Sequence, residues 1–111
     1  MSARHFTEEE NRVYVRGIEL VRSSIGNGVK FDVACEFVEA DKELKDMIVD
    51  DALKIEIAEL HYGKRMPLMD VSKKLGVAME RLLKASDEMM EDILNTADEA
   101  ANEQPRSSLT H

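Results

Sequence analysis

Apolar residues recur every three or four positions along most of the chain, a spacing that places them on one face of an α-helix. Thr7 with Glu10 three residues on is a capping-box start, and Glu8, Glu9 and Glu10 suit the positive end of a helix dipole. Tyr14, Ile18, Val21 and Ile25 then predict one apolar face, and Gly26-Asn27-Gly28 predicts its end, because Gly and Asn tolerate the left-handed conformation. Several β-branched residues between Arg12 and Leu20 leave a strand as the alternative there. Asp32 is expected to cap a short second helix carrying Ala34, Phe37 and Val38. Asp41 is expected to cap a third, with Leu44, Met47, Ile48, Ala52, Ile55 and Ala58 or Glu59 inward, then Tyr62, stopped by Gly63. Leu53, Ile55 and Ile57 alternate like a strand, but their neighbours are strong helix formers, so helix is preferred. Pro67 fits the first turn of a fourth helix through Val71 and Leu75, closed by Gly76. From Val77 no breaker occurs until Pro105. Leu82, Met89 or Met90, Ile93, Ala97 and Ala100 form a seam at three-four spacing.

The expectation is therefore a single all-α domain over residues 7–102, built from about five helices. The last would run over 77–101, about 37 Å for about 25 residues. A helix of that length would overhang a small domain, so a homodimer through residues 86–101 is expected. The polar stretch 103–111 is expected to be a disordered tail. Composition agrees with a helical reading: 111 residues hold 5 Gly and 2 Pro, too few for the turns of a sandwich or barrel. No apolar run reaches the length of a membrane span. A single Cys excludes an internal disulfide framework, and the first residues lack the apolar core of a signal peptide. A cytoplasmic location follows as an expectation.

The formal net charge is -8, which as a total disfavours a nucleic-acid partner. Its distribution changes that picture. Residues 31–60 carry -7, residues 61–85 carry +4 and residues 86–111 carry -6. The basic island consists of Lys64, Arg65, Lys73, Lys74, Arg81 and Lys84.

Within that island, residues 68–87 read LMDVSKKLGVAMERLLKASD. Two short helices that meet steeply need a small residue at their contact, here Ser72. The turn needs a residue at ease with positive φ, here Gly76. Val71, Leu75, Val77, Leu82 and Ala85 supply the shared core. This stretch resembles the helix-turn-helix of bacterial transcription regulators and some antitoxins. The resemblance covers about a fifth of the chain, with the unit itself spanning 67–85. It implies that the helix after Gly76 enters a DNA major groove. Arg81 would then read guanine and Glu80 accept from cytosine. Lys64, Arg65, Lys73 and Lys74 would meet phosphates, with Lys84 beside them on the open face. The function implied is that of a DNA-binding transcriptional regulator acting as a homodimer.

The recognition helix departs from the family pattern. It begins with Ala78-Met79 and carries Leu83 where a groove-facing polar side chain is expected. Met79, Leu83, Ser86 and Met90 form a second apolar stripe beside the first, and Met79, Leu83 and Met90, with Ile93 and Ala97 of the first seam, are the expected dimer or partner interface. The alternative reading is a protein-interaction module, antitoxin-like or an assembly adaptor, with the acidic helix 41–62 as part of its surface. His5, His61, His111 and Cys35 show no ligand spacing. No phosphate-binding glycine loop occurs, since Gly26-Asn27-Gly28 lacks the following Lys. Cys35 reads as a small buried residue. The expectation is no catalytic residue, no metal, no cofactor and no enzyme activity.

Overall fold

The computed structural model describes residues 7–103, with side chains described from 7 to 94. The chain is all-α. Helix α1 spans Glu8–Gly26, α2 Phe31–Glu36, α3 Lys42–Ile57, α4 Leu68–Leu75 and α5 Met79–Glu103. Ala58–Gly63 continues α3 as a π-helical turn. The stretch 103–111, expected to be a disordered tail, lies almost wholly outside the described residues.

The chain ends of each helix follow local chemistry. Thr7 Oγ1 accepts from the Glu10 amide, and the Glu10 carboxylate accepts from the Thr7 amide, so the capping box forms as expected. At the other end of α1 only Gly28 is left-handed (φ 92°), while Asn27 stays at φ -92°. Asp32 does not cap α2: the helix begins one residue earlier at Phe31, and Lys30 holds the cap position. Pro67 precedes α4 as its cap residue instead of lying in its first turn. Its fixed φ still directs the chain into the helix.

Helix α3 packs against α1, against α5 and onto its own π extension, so it forms the centre of the molecule. Close approach of α1 and α3 explains Gly17. A Cβ there would lie 2.9 Å from Ile48 Cδ1 and 3.3 Å from Val38 Cγ1. The core comprises Val21 and Ile25 of α1, Phe31, Ala34 and Cys35 of α2, and Leu44, Ile48, Ala52, Leu53 and Ile57 of α3. Val38, Leu60, Val71, Leu75, Val77, Leu82 and Ala85 complete it. Several expectations fail here. Met47 and Ile55 are half-buried and outside the core cluster, and Ala58 and Glu59 are exposed, while Leu53, Ile57 and Leu60 are buried. Phe37 faces solvent, and Phe31, six positions earlier and on the same side of α2 as Ala34 and Cys35, is fully buried in its place. Tyr62 is exposed, because the buried face runs through Leu53, Glu56, Ile57 and Leu60, and Tyr62 lies off that line.

Candidate nucleic-acid interface

The helix-turn-helix-like stretch folds as two helices joined at a left-handed glycine. Gly76 adopts φ 70° and ψ 33°, a conformation that L side chains avoid. The Ser72 carbonyl accepts from the amides of both Gly76 and Val77, and Ser72 Oγ donates to the Val77 carbonyl. One small residue thus closes the turn with both its main chain and its side chain. Val71, Leu75, Val77, Leu82 and Ala85 are all buried, and α4 packs on α5. A larger side chain than Ser at position 72 would hold the two helices apart at this contact.

The six basic residues of the island divide into two settings. Lys73 and Lys74 are exposed in the last turn of α4. Lys30, reaching across from the α1–α2 connection, donates from Nζ to the Lys73 carbonyl (3.0 Å) and the Lys74 carbonyl (3.4 Å). A cation at a helix C-terminus is favourable to the dipole, and here it adds a third positive charge beside the turn. Lys64 and Arg65 are exposed on the connection between the π turn and α4, where Arg65 adopts φ 60°. Lys64 and Lys74 both pull the Glu56 carboxyl down, against the effect of its burial.

Arg81 and Lys84 lie in the second setting, a groove between α3 and α5 lined also by Asp46, Asp50, Leu53 and Glu88. Arg81 is engaged within the fold. Its Nη1 lies 2.9 Å from Asp32 Oδ1 and 3.3 Å from Oδ2, and its guanidinium sits 5.4 Å from the centre of the Phe31 ring. Both contacts attract a cation. The residue expected to read guanine is thus paired, at the surface, with the Asp32 carboxylate. Lys84 is exposed, with Glu80, Leu83 and Asp87 also exposed along the outer side of the first turns of α5.

Glu56 is the one buried charged residue among the described residues, at 3% exposure. Burial pushes its carboxyl above the usual range and Glu59 adds to that, while Arg22, Lys74 and Lys64 pull it down. Arg22 Nε lies 3.8 Å from Glu56, and the same guanidinium pairs with Glu59. The carboxylate sits beneath the basic surface and offsets part of its charge.

The positions expected at a dimer or partner interface also separate. Met79 is half-buried against the core. Leu83, Met90 and Ile93 are exposed, as is Leu94. The side chain of Ala97 lies outside the described residues. Tyr62, itself exposed, is fixed to α5 by a 2.8 Å hydrogen bond to Ser86 Oγ.

Cys35 is buried, and burial first, then Asp32, pushes its thiol up to about 11, so it stays protonated at neutral pH. His61 Nδ1 lies 2.8 Å from the Met66 carbonyl and helps close the π turn. Among the described residues no three His, Cys, Asp or Glu side chains converge to hold a metal ion. No helix there is long and apolar enough to cross a membrane. Sequence reasoning missed Lys30 and Arg22 in the basic surface and Asp32 as the partner of Arg81. Lys30 is 43 residues from Lys73 and lies behind a glycine break, so no spacing connected them. No family model, curated protein or solved structure matches the chain.

Proposed function

We propose that the protein binds duplex DNA through the α4–Gly76–α5 unit and acts as a transcriptional regulator. One observation carries the reading. The left-handed glycine turn, with its buried five-residue core, presents Lys73 and Lys74 on the surface, with Lys30 bound across their carbonyls and Lys64 and Arg65 on the preceding connection. These are donors to phosphates, placed where a helix-turn-helix meets the backbone. The net charge of -8 restricts contact to this surface, because other orientations turn carboxylates toward the duplex.

The test is fluorescence anisotropy with labelled duplexes over a salt series. Affinity should fall steeply with salt as counterions are released. Lys73→Glu with Lys74→Glu should abolish binding while circular dichroism stays unchanged. Binding that survives the double substitution overturns the reading.

A second reading is favoured by the occupation of Arg81 by Asp32 and the exposure of Leu83 and Met90. Under it the same unit is a protein-interaction module, antitoxin-like or adaptor, and the apolar side of α5 is its contact. A folded chain with no affinity for any duplex at low salt would favour this second reading.

A further inference from the structure

A groove runs between α1 and the chain that leaves α2. Val13, Gly17, Leu20, Phe37 and Val38 line about 330 Å³ of it. Toward the start of α1 it continues as a second hollow of about 300 Å³, lined by Thr7, Glu9, Asp41 and Leu44, and both parts share Val13 and Glu39. From Thr7 to Leu20 the α1 wall is about 20 Å long. The floor is fixed, because Gly17, Val38 and Leu44 are buried and Gly17 lies against Ile48 of α3. The walls are uncovered: Leu20 is 40% exposed and Phe37 50%. Val33, one turn before Phe37, is also exposed and extends the apolar wall outward. An apolar surface rimmed by charged residues is the form an interaction site takes.

The shape favours a helix as occupant. Helix α1 bonds its own backbone, so an extended peptide would find no row of main-chain partners along that wall. A helix also satisfies its own backbone and needs only hollows for apolar side chains three or four positions apart.

The two ends of the groove differ in charge. Glu9, Glu39 and Asp41 gather at the Thr7 end, and none of the three is ion-paired among the described residues. Asp41 precedes α3 without donating its side chain to a cap. Arg16 stands at the Leu20 end. A complementary helix therefore carries Lys or Arg at the end of its apolar stripe that meets these carboxylates. A second copy of this chain does not answer to that pattern. Its largest exposed apolar run, Met90, Ile93 and Leu94 of α5, is interleaved with the exposed Glu91 and Asp92, so like charges would meet at the acidic end.

We infer that this groove docks an amphipathic helix of a different protein, with apolar side chains seated against Val13, Leu20 and Phe37 and a basic end on Glu9, Glu39 and Asp41. None of these residues belongs to the α4–Gly76–α5 unit. The site therefore does not depend on the DNA reading.

The probe is a phage-displayed library of helical peptides about 14 residues long, enough to span the groove. It is selected on the full chain and counter-selected on Leu20→Glu with Phe37→Glu, both at exposed positions. Circular dichroism checks that this variant folds, and Phe37→Ala replaces it if it does not. Peptides that discriminate between the two chains should carry apolar residues three or four apart and Lys or Arg at one end. Their affinity, read by anisotropy of the labelled peptides, should fall about tenfold or more in Phe37→Ala. It should fall several-fold at low salt in Glu39→Gln with Asp41→Asn, an effect that fades as salt rises. DNA affinity should be unchanged in Phe37→Ala, so the two surfaces are judged separately. A selection that yields no discriminating peptide overturns the proposal, and so do discriminating peptides that are acidic or lack the helical spacing. A wild type that is dimeric in sedimentation and becomes monomeric as Phe37→Ala assigns the groove to a second copy and overturns it equally.

Discussion

A single carboxyl, that of Glu56, sits where the fold pays for its basic surface. It is nearly inaccessible, and its nearest cations are Arg22, Lys74 and Lys64. Burial acts against its ionisation more strongly than these cations favour it, so its folded pKa lies above the unfolded one. Between those two values the folded state binds more protons, and stability falls as pH rises. Above the folded value the cost is fully present. Glu56→Gln keeps the shape and removes the charge. Its melting temperature should exceed the wild type at neutral pH, and the difference should shrink as pH falls below the ordinary carboxylate range. Thermal melts of both proteins across that range check the sign. A glutamine variant less stable at neutral pH would show that the Arg22 and lysine interactions outweigh desolvation.

Helix α4 is bracketed by two left-handed residues, Arg65 before it and Gly76 after it. Only one of them is the residue type this conformation prefers. At Gly76 a Cβ would be strained by φ and would also meet the Lys30 side chain at 3.1 Å. Gly76→Ala should therefore destabilise by about 1–2 kcal/mol. At Arg65 the strain is already present, and Arg65→Gly should relieve up to about 1 kcal/mol of it, offset in part by the greater freedom of the unfolded chain. The same substitution removes a proposed phosphate contact, so it should lower DNA affinity while leaving stability equal or higher. Urea titrations of both variants, with the anisotropy assay, separate the two effects.

The contrast also shows what was legible in the sequence at this scale. Gly76, Ser72 and the five core residues of the unit announced themselves, because a steep two-helix turn tolerates few residue types at fixed offsets. The left-handed Arg65 did not, since nothing in its type favours that conformation. It lies just past the π turn, where the Lys64 amide donates to the Glu59 carbonyl five residues back and the Met66 amide closes over Arg65 onto the Leu60 carbonyl six back. The π turn was equally hidden, because Ala58 to Gly63 is composed of ordinary helix formers. Phe31 was missed for a related reason: the expected cap at Asp32 placed the start of α2 after it.

At the scale of the molecule, the charge pattern read along the chain and the charge pattern in space are different objects. The +4 island is contiguous in sequence, yet the fold neutralises part of it. Arg81 is held by Asp32 from the acidic segment, and Lys84 lines a groove with Asp46, Asp50 and Glu88. In return, Lys30 from outside the island joins Lys73 and Lys74. Spacing alone exposes neither the Arg81–Asp32 pair nor the Lys30 contacts, since each joins residues more than forty positions apart. They bear directly on the DNA reading. With Arg81 paired, the surface offers Lys30, Lys64, Arg65, Lys73, Lys74 and Lys84, and a slope of log affinity against log salt of about -5 per copy is the most they can give. Asp32 competes with the duplex for Arg81, and its own charge repels phosphate. Asp32→Asn should therefore tighten binding several-fold at low salt and steepen the slope by about one per copy. If Arg81 reads a guanine, the gain should be larger for duplexes that contain the preferred site than for random sequence, because bidentate contact to a base is sequence-specific whereas phosphate contact is not. An equal gain on both would place Arg81 at the backbone. No gain on either would mean that Arg81 serves only to bind α2 to α5, and the recognition surface would then be reduced to the end of α4 and the connection before it.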